Sequence, residues 1–316
     1  MRVILFVGSV LALALAGYLA ITGYFLARSA TGILTVGAVS AALLQQEAPA
    51  GPLSPGFRGN PMDALGLPFR VVPVATPLGP AEAWLVPAAG AEAGRAIYVH
   101  GIAGAREDGY RHLAVLHDAG WSVLLIGYRN DPGAPATQDG RYGLGLTEWP
   151  DLEAAVDRFA PGPDGPGLLV VADSMGGAIL GQFLARSDRA DRVAAVALDS
   201  PAVSFAALTR HLAAGSGNPL PGALAAVAGL MLPAMTGLPL AEAEVAATFI
   251  AFDGPLFIAH GAEDRIVPIG PSRALAAARA GPTVTHWTEA DHLASHAADP
   301  ATYRRAFEGF LATIRP

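Results

Sequence analysis

Gly167-Leu168-Leu169-Val170-Val171-Ala172-Asp173-Ser174-Met175-Gly176-Gly177 decides the fold of this chain. The apolar run from Gly167 to Val171 reads as a strand buried on both faces, and Met175 to Ala185 reads as the helix behind it. Ser174 is left alone in the turn between them, which is the pattern of a nucleophile elbow. So tight a reversal forces its central residue into a strained backbone conformation, and small residues two positions away keep strand and helix apart. Ala172 and Gly176 hold those positions, so Ala172 departs from G-x-S-x-G by one methyl group. The competing reading is a serine that caps an ordinary βα turn.

A serine nucleophile needs a base, a group that orients the base, and donors for the oxyanion. Candidates for each follow strand-like runs. Arg95-Ala96-Ile97-Tyr98-Val99 precedes the glycine-rich loop His100-Gly101-Ile102-Ala103-Gly104, where backbone N–H groups can face outward. Pro255-Leu256-Phe257-Ile258-Ala259 precedes His260-Gly261-Ala262-Glu263-Asp264, and Asp264 is the candidate orienter. Pro282-Thr283-Val284-Thr285-His286-Trp287 alternates like a last strand, and His292 follows it as the candidate base.

With Ser, Asp and His in that chain order, the sequence resembles the α/β-hydrolase superfamily, over residues 68 to 314. Its likeness is to the serine esterases and lipases of the monoacylglycerol-lipase and serine-aminopeptidase-like branch, several of which carry an N-terminal membrane anchor. His100-Gly101, Gly127-Tyr128-Arg129, Ser174-Met175-Gly176-Gly177, Asp199-Ser200-Pro201 and His260-Gly261 to Asp264 carry the resemblance. It implies a mostly parallel sheet with helices on both faces and a short helical cap. It also implies Ser174, Asp264 and His292 as catalytic residues, the backbone N–H groups of Ile102 and Met175 as the oxyanion hole, and no cofactor or metal.

Other residues compete for some of these roles. Asp199 also ends a strand run and is a second candidate acid, although Ser200-Pro201 after it suits a turn. His296, four residues after His292, is a rival base, and the two are a poor metal pair because no third ligand lies nearby in sequence. His100 reads as packing or hydrogen bonding beneath the oxyanion loop, and His286 as a hydrogen-bonded structural histidine.

Composition removes other chemistries. The chain has no cysteine, and all its 20 basic side chains are arginines. Thiolate metal sites, disulfides, Schiff bases, Ser-Lys dyads and P-loops are therefore excluded. A formal charge of −7 argues against a nucleic-acid partner.

At 316 residues, 52% of them hydrophobic, the chain suffices for one large α/β domain plus an appendage. The appendage is N-terminal. The 25 residues from Val3 to Ala27 contain no charge, enough for a helix to cross a bilayer core of about 30 Å. Residues 1–28 are therefore expected to form a single-pass anchor, in the cell membrane, with neither orientation favoured. Ala14-Leu15-Ala16 offers a signal-peptide cleavage site as the rival reading.

Residues 29–67 read as a neck, with a juxtamembrane helix over Thr31 to Leu44 and a Pro/Gly-rich linker from Ala48 to Pro61. The hydrolase domain is expected over 68–316, with the cap inserted at about 205–249. Leu220, Leu224, Leu230, Met231, Leu232, Met235 and Leu238 within the cap suit either plain helix packing or acyl binding.

The function expected is hydrolysis of an apolar carboxylic ester, a small molecule or a lipid, through an acyl-enzyme. An acyltransferase uses the same triad. A serine aminopeptidase also needs an acidic site for the substrate amine, for which Glu263 and Asp131 are the candidates. A non-catalytic membrane scaffold on the same fold is the alternative from a different class.

Overall fold

The computed structural model describes residues 2–37, 49–162 and 167–314. Its centre is an eight-stranded sheet. The strands are β1 (Arg70–Thr76), β2 (Gly79–Val86), β3 (Gly94–Val99), β4 (Trp121–Ile126), β5 (Leu168–Asp173), β6 (Val193–Asp199), β7 (Leu256–Gly261) and β8 (Thr283–Thr288). They lie in the order β1-β2-β4-β3-β5-β6-β7-β8. The β1–β2 and β2–β4 pairings are antiparallel and the others parallel. Strands β4, β5 and β7 are buried at every position, because helices cover both faces of a parallel sheet; their near-continuous apolar runs reflect this.

Helices α3 (Tyr110–Asp118) and α11 (Pro300–Leu311) cover one face, where Leu113, Leu116, Phe307 and Phe310 pack beneath Tyr98 and Phe257. Helices α4 (Trp149–Phe159), α5 (Met175–Arg186) and α9 (Gly270–Ala278) cover the other, through Leu152, Val156, Ile179, Phe183 and Leu275. Arg106–Gly109 makes a 3-10 turn that leads directly into α3. The cap leaves the sheet after β6 as α6 (Phe205–Gly215), α7 (Pro221–Thr236) and α8 (Ala246–Ala251), and α10 (Ser295–Ala298) follows β8.

The N-terminal helix α1 spans Arg2–Ile33, longer than the 28 residues expected of the anchor. Thr31 to Ile33 of the expected juxtamembrane helix continue α1, Leu34 to Gly37 turn, and residues 38–44 lie outside those described, as does Ala48. Among the described residues the first half of α1, residues 2–17, is exposed. Its second half lies along α7: Tyr18 Oη donates to Pro219 O (2.9 Å), and Gly23, Ala27 and Ala30 are buried at helical spacing. A Cβ on Gly23 would stand 2.5 Å from Val227 Cγ1, so the two helices approach as closely as small residues allow. Beyond the helix, Tyr142 N donates to Leu34 O and Val36 N to Gly140 O.

The Pro/Gly-rich stretch is also tied down. Asn60 caps the short helix α2 (Pro61–Leu65), Gly56 N donates to Asp108 Oδ1 (2.8 Å), and Tyr110 Oη donates to Gly59 O. None of the eight strands comes from α1, but Ala27 and Ala30 of α1 and Leu34 just after it join the core cluster that holds Ala228 and Leu232 of α7.

Gly23→Leu is expected to lower the unfolding free energy of the detergent-solubilised chain by about 1–3 kcal/mol, an overpacking cost. Gly17→Leu, which meets nothing within 4 Å, should be neutral. Thermal unfolding of the two variants checks this; equal effects would contradict the packing described.

Candidate active site

Ser174 sits where β5 ends and α5 begins, with φ 51° and ψ −117°. A non-glycine residue adopts such a conformation only where its surroundings impose it. Ser174 N donates to Asp199 O (2.9 Å), while Ser174 O accepts from Gly177 N (3.0 Å) and Ala202 N (2.9 Å). There is no room for the turn to relax: a Cβ on Gly176 would lie 2.4 Å from Val99 O, and one on Gly101 would lie 2.8 Å from Ser174 Cβ. Ala172 is fully buried in the β5 ladder between Val99 and Leu198, so its methyl is absorbed as core.

His292 follows β8, and its Nε2 lies 3.0 Å from Ser174 Oγ. Its Nδ1 lies 2.7 Å from Asp264 Oδ2. The carboxylate can only accept, so Nδ1 carries the proton and Nε2 is left to accept from the serine hydroxyl. Asp264 is held by four donors. Ile266 N and Val267 N donate to Oδ1, and His292 Nδ1 and His260 Nε2 approach Oδ2. Burial works against the carboxylate charge, but the hydrogen bonds from His260, His292 and Val267 outweigh it and hold the Asp264 carboxyl well below its usual range.

Asp199, the rival acid, is turned elsewhere. Arg111, fully buried, donates through Nη2 to Asp173 Oδ2 (2.8 Å) and Asp199 Oδ2 (3.0 Å), and His112 Nε2 lies 3.0 Å from Asp173 Oδ1. Among the described residues His112, Asp173 and Asp199 are the one group whose ligand atoms cluster as a metal site needs, yet the Arg111 guanidinium already supplies their cation. His296, the rival base, packs edge-on against Tyr303 with ring centroids 5.2 Å apart. Burial and the nearby Arg111 charge lower its pKa to about 4. His286, expected to be hydrogen-bonded, instead leaves Nε2 buried without a partner among the described residues. The ring lies edge-on to Tyr303 on the half-buried β8, where packing decides its place.

Ile102 N lies in the loop after β3 and has no acceptor among the described residues. Met175 N opens α5, where a helix N-terminus leaves its N–H groups unpaired. The loop carrying Ile102 is braced by His100. His100 Nε2 lies 2.8 Å from Asp131 Oδ2, Nδ1 lies 2.8 Å from Gly101 O, and the ring stacks on Tyr128. Acceptors facing both nitrogens favour the protonated ring. Burial opposes that charge, but Asp131 and the Gly101 carbonyl overcome it and raise the His100 pKa.

Three contributors were not foreseen. His260 Nδ1 accepts from Ser272 Oγ (2.8 Å) while its Nε2 supports Asp264, and Ser200 Oγ accepts from Leu293 N (3.2 Å) beside His292. His260 and Ser200 carried a sequence signal only as parts of the motifs His260-Gly261 and Asp199-Ser200-Pro201, and Ser272 carried none. Of the cap residues weighed for acyl binding, Leu224 and Leu232 are buried in the core and Leu230 is 82% exposed. The small apolar crevice beside Ala202 is lined instead by Leu144, Phe205, Leu208 and Ala243.

No protein-family model and no curated protein matches the chain. Solved structures do. An esterase from Pyrococcus furiosus superposes with a TM-score of 0.61 at 17% identity, covering 81% of this chain and 94% of its own. The esterase Est1E from Butyrivibrio proteoclasticus, solved with ferulic acid, gives 0.58 at 18% identity, covering 77% and 99%. A thermophilic esterase from Thermogutta terrifontis, solved with malate, gives 0.54 at 18%, covering 78% and 100%. At such identities the likeness is one of fold, and the chain has the α/β-hydrolase fold.

The His100–Asp131 pair makes stability depend on pH. A histidine whose pKa is raised by folding stabilises fully below its ordinary value of 6.5, and the contribution disappears as pH rises through the raised value. Asp131→Asn should therefore destabilise most below pH 6.5, with the deficit shrinking in alkali. Urea unfolding at acid and alkaline pH measures this; a deficit that is the same at both would contradict it.

Proposed function

We propose that the protein is a membrane-anchored serine hydrolase that cleaves apolar carboxylic esters through an acyl-enzyme. The observation that carries this reading is the unbroken chain from Ser174 Oγ through His292 to Asp264 at 3.0 and 2.7 Å, with the backbone donors Ile102 N and Met175 N unpaired among the described residues. Ser174 Oγ bonds to the carbonyl carbon as its proton passes to His292 Nε2, and Asp264 stabilises the imidazolium without taking a proton. The carbonyl oxygen, now negative, is received by Ile102 N and Met175 N. Collapse of the tetrahedral adduct expels the alcohol, which leaves with the proton from Nε2. Water then gives its proton to Nε2 and its oxygen to the acyl carbon, and Ser174 recovers its proton as the acid departs. Each step uses groups of this chain alone.

An acyltransferase differs only in replacing that water by an alcohol. The aminopeptidase reading loses one of its candidate sites, because Asp131 is already bound to His100 and Tyr128 N. The exposed apolar half of α1 supports an anchor. The mature protein should then retain its first residues, and a mature N-terminus at Gly17 would instead mark a cleaved signal peptide.

The wild-type chain should be labelled by a fluorophosphonate probe and should hydrolyse p-nitrophenyl esters, whereas Ser174→Ala should do neither. His292→Ala should lower turnover by several orders of magnitude, as triad losses do, and His296→Ala by less than about tenfold. A labelled Ser174→Ala variant, or exchanged phenotypes for the two histidines, would overturn the assignment.

A further inference from the structure

The apolar surface of α1 does not stop where α1 meets the rest of the protein. The two helices run parallel, with Tyr18 at Pro219, Gly23 at Val227 and Ala228, and the chain after α1 beside Arg141, whose guanidinium reaches Met235 O. The free part of α1, residues 2–17, therefore projects past the N-terminal end of α7. At 1.5 Å per residue it extends about 24 Å, short of the roughly 30 Å of a bilayer core.

The remainder of a span must come from the residues that follow, and those already lie on α7. The first charge after Arg2 on α1 is Arg28, five residues beyond Gly23. The cap offers no charge to stop it either: none occurs from His211 to Ala241. The side chains that α7 turns outward are apolar, Ala226, Leu230, Pro233 and Ala234, with Leu230 82% exposed; Leu220 just before the helix is 51% exposed, and the polar Ser216 and Asn218 lie farther back in the loop.

We infer that the cap is itself a lipid-contacting surface: the outward face of α7, from Leu220 to Leu230, enters the headgroup and upper acyl region of the bilayer alongside α1. This rests on the reading of α1 as an anchor, and it fixes where the cap sits once α1 spans. Leucines in a surface without charge, continuous with the exposed apolar part of α1, match the apolar boundary of a membrane; a water-exposed face carries charges among its apolar residues. The cap base is joined to the elbow through Ala202 N and Ser174 O, so a membrane-seated cap draws Ser174 toward the lipid phase. Long-chain esters would then reach the site from the bilayer without crossing water.

The absence of cysteine makes the test direct. Single variants Leu230→Cys, Leu11→Cys and Asp188→Cys of the full chain, each carrying a polarity-sensitive fluorophore, are reconstituted into vesicles of phosphatidylcholine and phosphatidylglycerol. Part of the phosphatidylcholine is brominated on its acyl chains. The labels at Leu11 and Leu230 should emit at shorter wavelength than the label at Asp188 and lose most of their emission to the brominated lipid, while the Asp188 label keeps its emission.

A quenched Leu11 label with a Leu230 label that stays in water would overturn the inference. So would a Leu230 label shielded from water, unquenched by lipid, and close to its counterpart in a second copy. An unquenched Leu11 label would remove the anchor and the inference together. The fluorescence readouts do not depend on turnover, so loss of the esterase reading leaves them intact. As a functional companion, Leu230→Asp should cut hydrolysis of vesicle-embedded esters by about tenfold or more, the equivalent of 1.4 kcal/mol, while soluble short esters react within about twofold of wild type.

Discussion

Everything at the candidate site depends on one strained residue. Ser174 is held at φ 51°, a conformation costing on the order of 1–3 kcal/mol for a side chain of its kind. Three backbone hydrogen bonds hold it there, one to Asp199 at the end of β6, one to Ala202 in the segment that follows, and one to Gly177 in α5. The hydroxyl is thereby carried out of the sheet toward His292, while Met175 N is left unpaired one residue later. The same close packing explains why Gly101 and Gly176 are small: Gly176 backs onto the main chain at Val99 and His100, and Gly101 onto the Ser174 side chain, with no space for a methyl group. Replacing either would move the nucleophile relative to its donors.

Charge is sorted around this turn with equal strictness. Three buried aspartates end or follow adjoining strands, and each has its own partners. Asp173 and Asp199 share Arg111, so the cation sits behind the elbow and both carboxylates are neutralised there. Removing one side of such a buried pair typically costs about 3–5 kcal/mol, which makes the Arg111 cluster a structural support. Asp264 has no arginine; its donors are two backbone N–H groups and two histidines. It is therefore the carboxylate left to orient His292, and the chemistry of its neighbours, more than its place on a strand, separates it from Asp199.

Much of this was legible in the sequence because central parallel strands are continuous apolar runs. β3, β5, β7 and the alternating β8 were visible to within a residue or two, and with them the loops that carry Ile102, Ser174, Asp264 and His292. What escaped depends on contacts far apart in the chain. His260 and Ser272 support Asp264 across a loop, and Ser200 reaches Leu293 across 93 residues. The short helix α2 and helix α9, whose alanine-rich run has a weak apolar stripe, gave no clear period. The docking of α1 on α7 was hidden for a different reason. Gly23, Ala27 and Ala30 look the same in a helix built for lipid as in one built for close helix packing, and here one helix does both.

The central claim is that the strained turn presents Ser174 Oγ to His292 and two unpaired N–H groups to a developing negative charge. The crystal structure of a fluorophosphonate adduct tests it most directly. The account predicts phosphorus bonded to Ser174 Oγ, with the phosphonyl oxygen accepting from Ile102 N and Met175 N at ordinary hydrogen-bond distances of about 2.7–3.1 Å. A phosphonyl oxygen turned to solvent or to other donors, or phosphorus on any other side chain, would contradict it.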